Sequence, residues 1–194
     1  MNSCSDSDID IEVINRVRNG SPVDFRILVD RYSDRIYRFL YAKSINRNDL
    51  DDILQETFLK AYLNISKYNE SYSFSTWLYT IAYHEMCRFY LKKKNQREEN
   101  QIDFIALPNN NDKTTLGIWE EASQLNAGFY TVLWLKYHEE LEVKEIAVIM
   151  KSSVAMVKIN LFRARNQLKK ILLSEKNKSE KKKTQTITLS HNSI

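Results

Sequence analysis

Between Leu50 and Tyr62 the residues Leu50, Ile53, Leu54, Thr57, Phe58, Ala61 and Tyr62 recur at steps of three and one without a break. That spacing lays them along one face of an α-helix, whereas a half-buried strand would alternate. Phe25, Leu28, Val29, Tyr32, Ile36, Phe39 and Leu40 repeat the pattern. Phe74, Trp77, Leu78, Ile81 and Ala82 do so again. Local punctuation agrees. Ser21-Pro22-Val23-Asp24 reads as a helix start, with Ser as cap and Pro in the first turn. Asn48 or Asp49 can cap the second stripe. The third helix is expected to run to about Leu91 and end in Lys92-Lys93-Lys94, cations that suit a helix C-terminus. Only 3 Gly and 2 Pro occur in 194 residues, too few for the tight turns of an all-β fold.

The chain is therefore expected to be all-α, as two small helical domains joined by a flexible linker. The first domain is expected over residues 1–94. Periodicity is lost over 95–116, where Pro108-Asn109-Asn110-Asn111-Asp112 marks the linker. Helical pattern returns near Trp119, is strong from Phe129 to Tyr137, and a second domain is expected over 117–173. Residues 174–194, rich in Lys, Ser, Thr and Asn, read as a disordered basic tail. The overall charge of +4 is uneven. Residues 1–91 hold 11 basic and 13 acidic side chains, and residues 125–173 hold 8 and 4. A polyanionic partner is expected at the C-terminal half.

Several classes are disfavoured. Cys4 and Cys87 form no C-x-x-C pair, which argues against a disulfide framework or structural zinc. His84, His138 and His191 lack metal-ligand spacing, and no nucleophile motif stands out. The expectation is a protein that is not an enzyme and carries neither metal nor cofactor. The acidic first twenty residues lack a secretory pattern, and no apolar stretch reaches the length of a membrane span. A cytoplasmic protein without direct membrane insertion is expected.

Residues 142–170 have the layout of a helix-turn-helix. Val143, Ile146, Ala147 and Met150 share one face of a first helix. Lys151-Ser152-Ser153 breaks it, and Ser153 can cap a second helix. Val157, Leu161, Ala164 and Leu168 then point inward, leaving Ala155, Ile159, Phe162, Arg163 and Asn166 outward, flanked by Met156 and Lys158. Such a helix suits the DNA major groove. By spacing alone it equally suits a helical hairpin with a solvated basic face.

The wording of these segments goes further than their spacing. Leu133–Met150 and Val157–Arg165 resemble region four of bacterial sigma factors. Asp49-Leu-Asp-Asp-Ile-Leu-Gln-Glu-Thr-Phe58 resembles region 2.2 of the extracytoplasmic-function (ECF) sigma factors, and Phe74-Ser-Thr-Trp-Leu-Tyr-Thr-Ile-Ala82 resembles their region 2.3–2.4. The blocks stand in the family's order, and the resemblance covers roughly residues 22–172.

The resemblance implies a non-enzymatic subunit that binds core RNA polymerase and directs promoter-specific transcription initiation. Its N-terminal domain would read and open the minus-ten element, and its C-terminal domain would read the minus-thirty-five element of promoter DNA. Relatives are commonly held by an anti-sigma factor. Asp52, Gln55, Glu56 and Leu59, opposite the apolar stripe, would contact the polymerase clamp; phosphates would repel the two carboxylates. Asn69, Tyr72, Tyr79, Tyr83, His84 and Arg88 are candidates for capturing unstacked minus-ten bases. Tyr79 and Tyr83 equally suit packing, and Trp77 reads as core. Ser153, Ala155, Met156, Lys158, Ile159, Phe162 and Arg163 are candidates for the minus-thirty-five contact. The chain departs from the family's pattern at His84 and Arg88, at Glu140 and Lys151 where glycine is usual, and at Ala155-Met156, which replace a Gly-Thr and bring in apolar groups. A stand-alone helix-turn-helix regulator is the competing reading.

Overall fold

The computed structural model describes residues 6–41, 47–99 and 117–191. Among them are eight α-helices, two 3-10 turns and no strand. The N-terminal half comprises α1 (Asp6–Arg18), α2 (Phe25–Tyr41), α3 (Arg47–Leu63) and α4 (Phe74–Glu99). The C-terminal half comprises α5 (Gly117–Ala122), α6 (Ala127–Tyr137), α7 (Val143–Ile149) and α8 (Val154–His191).

Helix α1 lies in the acidic N-terminal stretch, where no helix was expected. Val13, Ile14 and Val17 are buried against the core, and Gly20 ends the helix at φ +96°. The Gly20 N–H donates to Val17 and the Ser21 N–H to Arg16, the paired bonds that close a helix on a left-handed residue. Asp10 is buried on the same face. Its carboxylate accepts from the Tyr32 hydroxyl and from Arg31 Nη1 at 2.8 Å, so the charge enters the core already paired.

Three boundaries differ from the sequence reading. Helix α3 starts at Arg47, ahead of the expected caps Asn48 and Asp49. Helix α4 runs to Glu99, through the first five residues of the expected linker; the rest of that linker, 100–116, lies outside the described residues. Helix α8 continues to His191, so the tail expected to be disordered is largely helical. Neither the extension of α4 nor that of α8 holds a Gly or Pro, and Lys, Glu, Gln and Leu cost little in a helix.

The two halves pack on each other. Phe39 of α2 meets Tyr130 and Trp134 of α6, with ring centroids 6.5 and 6.4 Å apart, and also meets Tyr79 of α4 edge-on. All four rings are fully buried. Each such side chain contributes about 2–3 kcal/mol by burial. Into this aromatic junction the α6–α7 turn inserts Glu139, whose side chain is 2% exposed. Its carboxylate accepts from Arg35 of α2 at 2.5 Å and lies 2.9 Å from His138 Nδ1, and the Tyr79 hydroxyl faces it. Burial raises the Glu139 pKa, but the nearby Tyr79 hydroxyl and the Arg35 guanidinium outweigh burial and hold it below the ordinary carboxylate value. A second bridge crosses lower down, where Thr76 Oγ1 of α4 donates to Glu145 Oε1 of α7 at 3.0 Å.

Two non-glycine residues adopt the left-handed conformation, Glu140 at φ +56° and Lys151 at φ +46°. These are the two positions where the resembling family usually has glycine. Lys151 follows α7: its N–H donates to Val148 and the Ser152 N–H to Ala147. The geometry is that of a glycine-terminated helix, carried by a residue with a Cβ.

This packing has two measurable consequences. Glu139→Ala costs about 2 kcal/mol in urea denaturation, below the ~3–5 kcal/mol of a fully enclosed pair because half-exposed Arg35 regains water. Since the folded carboxyl titrates below its ordinary 4.5, its contribution is complete above that pH and is lost as pH falls through the lower folded value. The stability gap between wild type and Glu139→Gln therefore narrows on acidification; a gap independent of pH would show that the carboxylate is not held ionised. Separately, Glu140→Gly and Lys151→Gly each raise stability by about 0.5–1 kcal/mol, because relief of ~1–2 kcal/mol of left-handed strain exceeds glycine's extra unfolded-state entropy. A lowered melting temperature in both variants would contradict this.

Candidate nucleic-acid and protein interface

Helices α3 and α4 lie side by side and leave an open groove of about 770 Å³ between their outward faces. Leu50, Ile53, Thr57, Phe58 and Ala61 of α3 are buried, which turns Asp52, Gln55 and Leu59 outward. Leu59 is 51% exposed, an isolated apolar side chain among polar ones. Glu56 is half-buried and pairs with Lys60 at 3.0 Å. Lys60 also reaches Glu85 of α4 at 2.6 Å. Partial burial pulls the Lys60 amine down, but its bonds to Glu85 and Glu56 outweigh that and raise it. All four residues expected to contact a polymerase thus line one groove.

Arg88 lines this groove too, with its guanidinium 3.1 Å from the buried carboxylate of Glu85. It is also one of the residues expected on the base-capturing surface, and its side chain is 67% exposed. Arg88 stands one turn beyond Glu85 on α4, on the side facing α3, and Glu85 ties it there.

The segment before α4 is built from short polar bonds. Asn69 is exposed, and its Oδ1 accepts from both the N–H and the hydroxyl of Ser71, at 2.9 and 2.8 Å, a local turn. Tyr68 is buried and meets Phe74 edge-on and Trp77 at a tilt, while its hydroxyl donates to the Tyr72 carbonyl at 2.9 Å. This fixes the backbone beneath Tyr72, whose ring is 42% exposed. Ser73 Oγ caps α4 by accepting the Thr76 N–H at 3.2 Å. Trp77 is half-buried against the core, as expected.

The remaining candidates on α4 divide by depth. Tyr79 is fully enclosed by Phe39, Trp134 and Glu139, which corrects its assignment as a base-contacting residue. Burial raises its phenol well above the ordinary value. Tyr83 is half-buried; burial and a hydrogen bond to Cys87 push its phenol upward. His84 is half-buried, and burial together with the charge of Lys151 holds its imidazole below the ordinary value, so it is neutral near pH 7. The exposed candidates are Asn69, Tyr72 and Arg88, with Tyr83 and His84 half-buried on α4.

In the C-terminal half, Asn126 caps α6 by accepting the Phe129 N–H at 2.9 Å. Glu145 reaches back to the Glu142 N–H at 2.9 Å and begins α7. Ile146, Ala147 and Ile149 of α7 pack on Val157, Leu161 and Ala164 of α8, all buried. Ser153 Oγ accepts the Met156 N–H at 3.1 Å and caps α8. With the inward face of α8 thus occupied, Ala155, Met156, Lys158, Ile159, Phe162 and Arg163 are exposed together, with Ser153 at their N-terminal end. The seven residues expected on this surface are all on it.

Sequence reasoning missed the residues that join the halves, namely Arg35, Thr76, Glu139 and Glu145, together with Asp10 and Arg18. Arg18 Nε donates to the Ile65 carbonyl at 3.1 Å and so ties α1 to the turn after α3. Asp10 carried a signal, a lone acid on the stripe of Val13, Ile14 and Val17. The partners across the junction are far apart in sequence and carried none. Among the described residues, no helix is long and apolar enough to cross a membrane.

Residues 28–96 match the Sigma-70 region 2 family model. The chain is 31% identical over 183 residues to the ECF RNA polymerase sigma factor SigW of Bacillus subtilis, spanning 82% of this chain and 94% of the relative. It is 29% identical to the ECF RNA polymerase sigma-E factor of Haemophilus influenzae, spanning 82% and 93%. The fold is similar to the sigma factor RpoE of Bartonella quintana in complex with the anti-sigma factor NepR, with a TM-score of 0.66, 19% identity and coverage of 77% of this chain and 96% of that one. It is similar also to CnrH in complex with the cytosolic domain of CnrY, with a TM-score of 0.63, 22% identity and coverage of 84% and 96%. With the first of these relatives matched along nearly its whole length, the chain belongs to the family of extracytoplasmic-function RNA polymerase sigma factors.

Proposed function

We propose that this protein binds core RNA polymerase through the α3–α4 groove and directs transcription initiation from promoters read at two elements. The observation that carries the proposal is the pairing of two exposed, differently built surfaces on one chain of this family. The groove sets Asp52, Glu56 and Glu85 against Lys60, Arg88 and Lys92 around Gln55, Leu59 and Phe89, a charge-balanced and partly apolar lining that suits a protein surface. The outward face of α8 is framed by cations, and residues 151–174 hold six basic side chains and no acidic one. That frame suits DNA.

In this reading Asn69, Tyr72, Tyr83 and His84 form the surface for the opened minus-ten strand. Tyr72 offers an aromatic face for stacking, and the neutral His84 offers a donor and an acceptor to base edges. Residues 6–99 act as region two, and 117 onward as region four. The protein acts in the cytoplasm, where promoter and polymerase are, and catalyses no reaction of its own. The solved relatives carry anti-sigma factors, which supports control of this protein by a partner of that kind.

Reconstitution with core polymerase tests the proposal. Run-off transcription from selected promoters is expected only when this protein is present, and a protein that footprints the same sites alone would be a stand-alone regulator. The charge reversals Asp52→Lys and Glu56→Lys are expected to reduce co-purification with core polymerase at least tenfold, by roughly 1.4 kcal/mol or more, with circular dichroism unchanged. Normal co-purification would move the polymerase contact elsewhere. Lys158→Ala and Arg163→Ala are expected to weaken upstream promoter contact by about 1–3 kcal/mol if they meet bases, less if they meet phosphates. An unchanged upstream footprint in both would remove α8 from the DNA.

A further inference from the structure

The outward face of α8 is unusual for a surface framed by cations. Met156 is 46% exposed, Ile159 43% and Phe162 62%. Ala155 is exposed beside them. Large apolar side chains gathered on one face of a capped helix mark a contact surface rather than scattered exposure. The basic, acid-free frame of residues 151–174 selects a polyanion as the partner that covers it.

The same face is poor in groups that can read a base edge through hydrogen bonds. Between Ala155 and Arg163 it offers Lys158 and Arg163, with Asn160 half-buried at its margin and Asn166 one turn beyond. Ser153 Oγ is engaged with the Met156 N–H. Two flexible cations reach guanine or phosphate and discriminate little else. The central positions need another signal, and the major groove has one that is apolar. Thymine presents a C5-methyl group, which cytosine lacks.

We infer that Met156, Ile159 and Phe162 read thymine methyl groups at the upstream promoter element, so that this sigma factor selects a thymine-bearing sequence by apolar contact. The inference rests on the proposed assignment of α8 to upstream DNA. Ala155 to Phe162 spans about 10 Å along the helix axis, or roughly three base-pair steps, so two or three thymines fall within reach. Ala155 lets the helix approach the base edges closely at its N-terminal end. The buried Val157, Leu161 and Ala164 fix the rotation of α8 and hold the three apolar side chains outward together.

The test uses the full chain reconstituted with core polymerase. Upstream elements are selected from a randomised duplex library, and each thymine of the selected element is replaced in turn by uracil, which keeps its hydrogen-bonding groups and lacks the methyl. Binding is measured by competition at fixed salt. Each uracil facing the apolar stripe is expected to weaken binding about fourfold, the worth of one buried methyl. The exposed Phe162→Ala and Ile159→Ala variants keep the fold, and are expected to abolish the thymine–uracil difference at their own positions. Lys158→Ala lowers binding to both duplexes equally. Selected elements without thymine, or uracil duplexes bound as tightly as thymine duplexes while the upstream footprint persists, would overturn the methyl readout alone. Loss of any upstream footprint in the wild-type holoenzyme would overturn the assignment of α8 with it.

Discussion

The Glu139 carboxylate is the charge around which the two halves of this molecule meet. It is carried on the turn between α6 and α7 into a junction of Phe39, Tyr79, Tyr130 and Trp134. An ionised carboxylate in such surroundings is tolerable only with its partners in place, and Arg35 and His138 supply them. Arg35 comes from α2, so the carboxylate is satisfied only when the C-terminal half sits where it does. The aromatic rings supply the greater part of the burial, and the carboxylate supplies the register. Trp134 stacks on His138 at 3.9 Å, which places the histidine to approach Glu139.

The register fixed there reaches the outward face of α8 through two strained turns. Glu140 and Lys151 both take a left-handed conformation that glycine would take without strain. Between them α7 is held at its start by Glu145, which uses one oxygen for the Glu142 N–H and the other for Thr76 of α4. A single side chain therefore begins the helix and docks it. Ser153 then begins α8 two residues past Lys151. Each of these bonds is worth about 1 kcal/mol, but together they leave α8 little freedom to rotate about its axis. Lys151 also sets its charge against His84, so the strained turn belongs to the electrostatic surroundings of the N-terminal half as well.

Much of this was legible in the sequence where a local rule governs. The stripes of α2 and α3, the capping Ser153 and the outward set from Ala155 to Arg163 follow from helical periodicity, and each lies where the period puts it. The stripe of α1 was present in Val13, Ile14 and Val17 but was hidden by its acids, one of which is a paired core residue. Tyr79 was ambiguous for a physical reason. A tyrosine facing away from the stripe of Trp77 and Ile81 reads as surface unless a second domain covers it, and nothing local announces that cover. The place of Arg88 at the groove was not legible, because it is decided by Glu85 and by the neighbouring α3. The helical extensions of α4 and α8 were missed because polar composition was given more weight than the absence of helix breakers.

Helix α4 explains why the sites are not independent. A helix that buries one face shows a clear apolar stripe; one loaded on several sides does not. Phe74, Leu78, Ala82 and Met86 of α4 enter the core of the N-terminal half. Glu85 and Arg88 line the groove against α3, and Thr76 and Tyr79 meet α7 and the α6–α7 turn. Its first turn is capped by Ser73, the last residue of the segment that presents Asn69 and Tyr72. Close-packed interiors transmit displacement instead of absorbing it. The α3–α4 groove, the Tyr72 segment and the C-terminal half thus all bear on one rigid rod. Tyr79 belongs to the last of these contacts, and its burial is the structural sign that the α4 surface and the C-terminal half are joined.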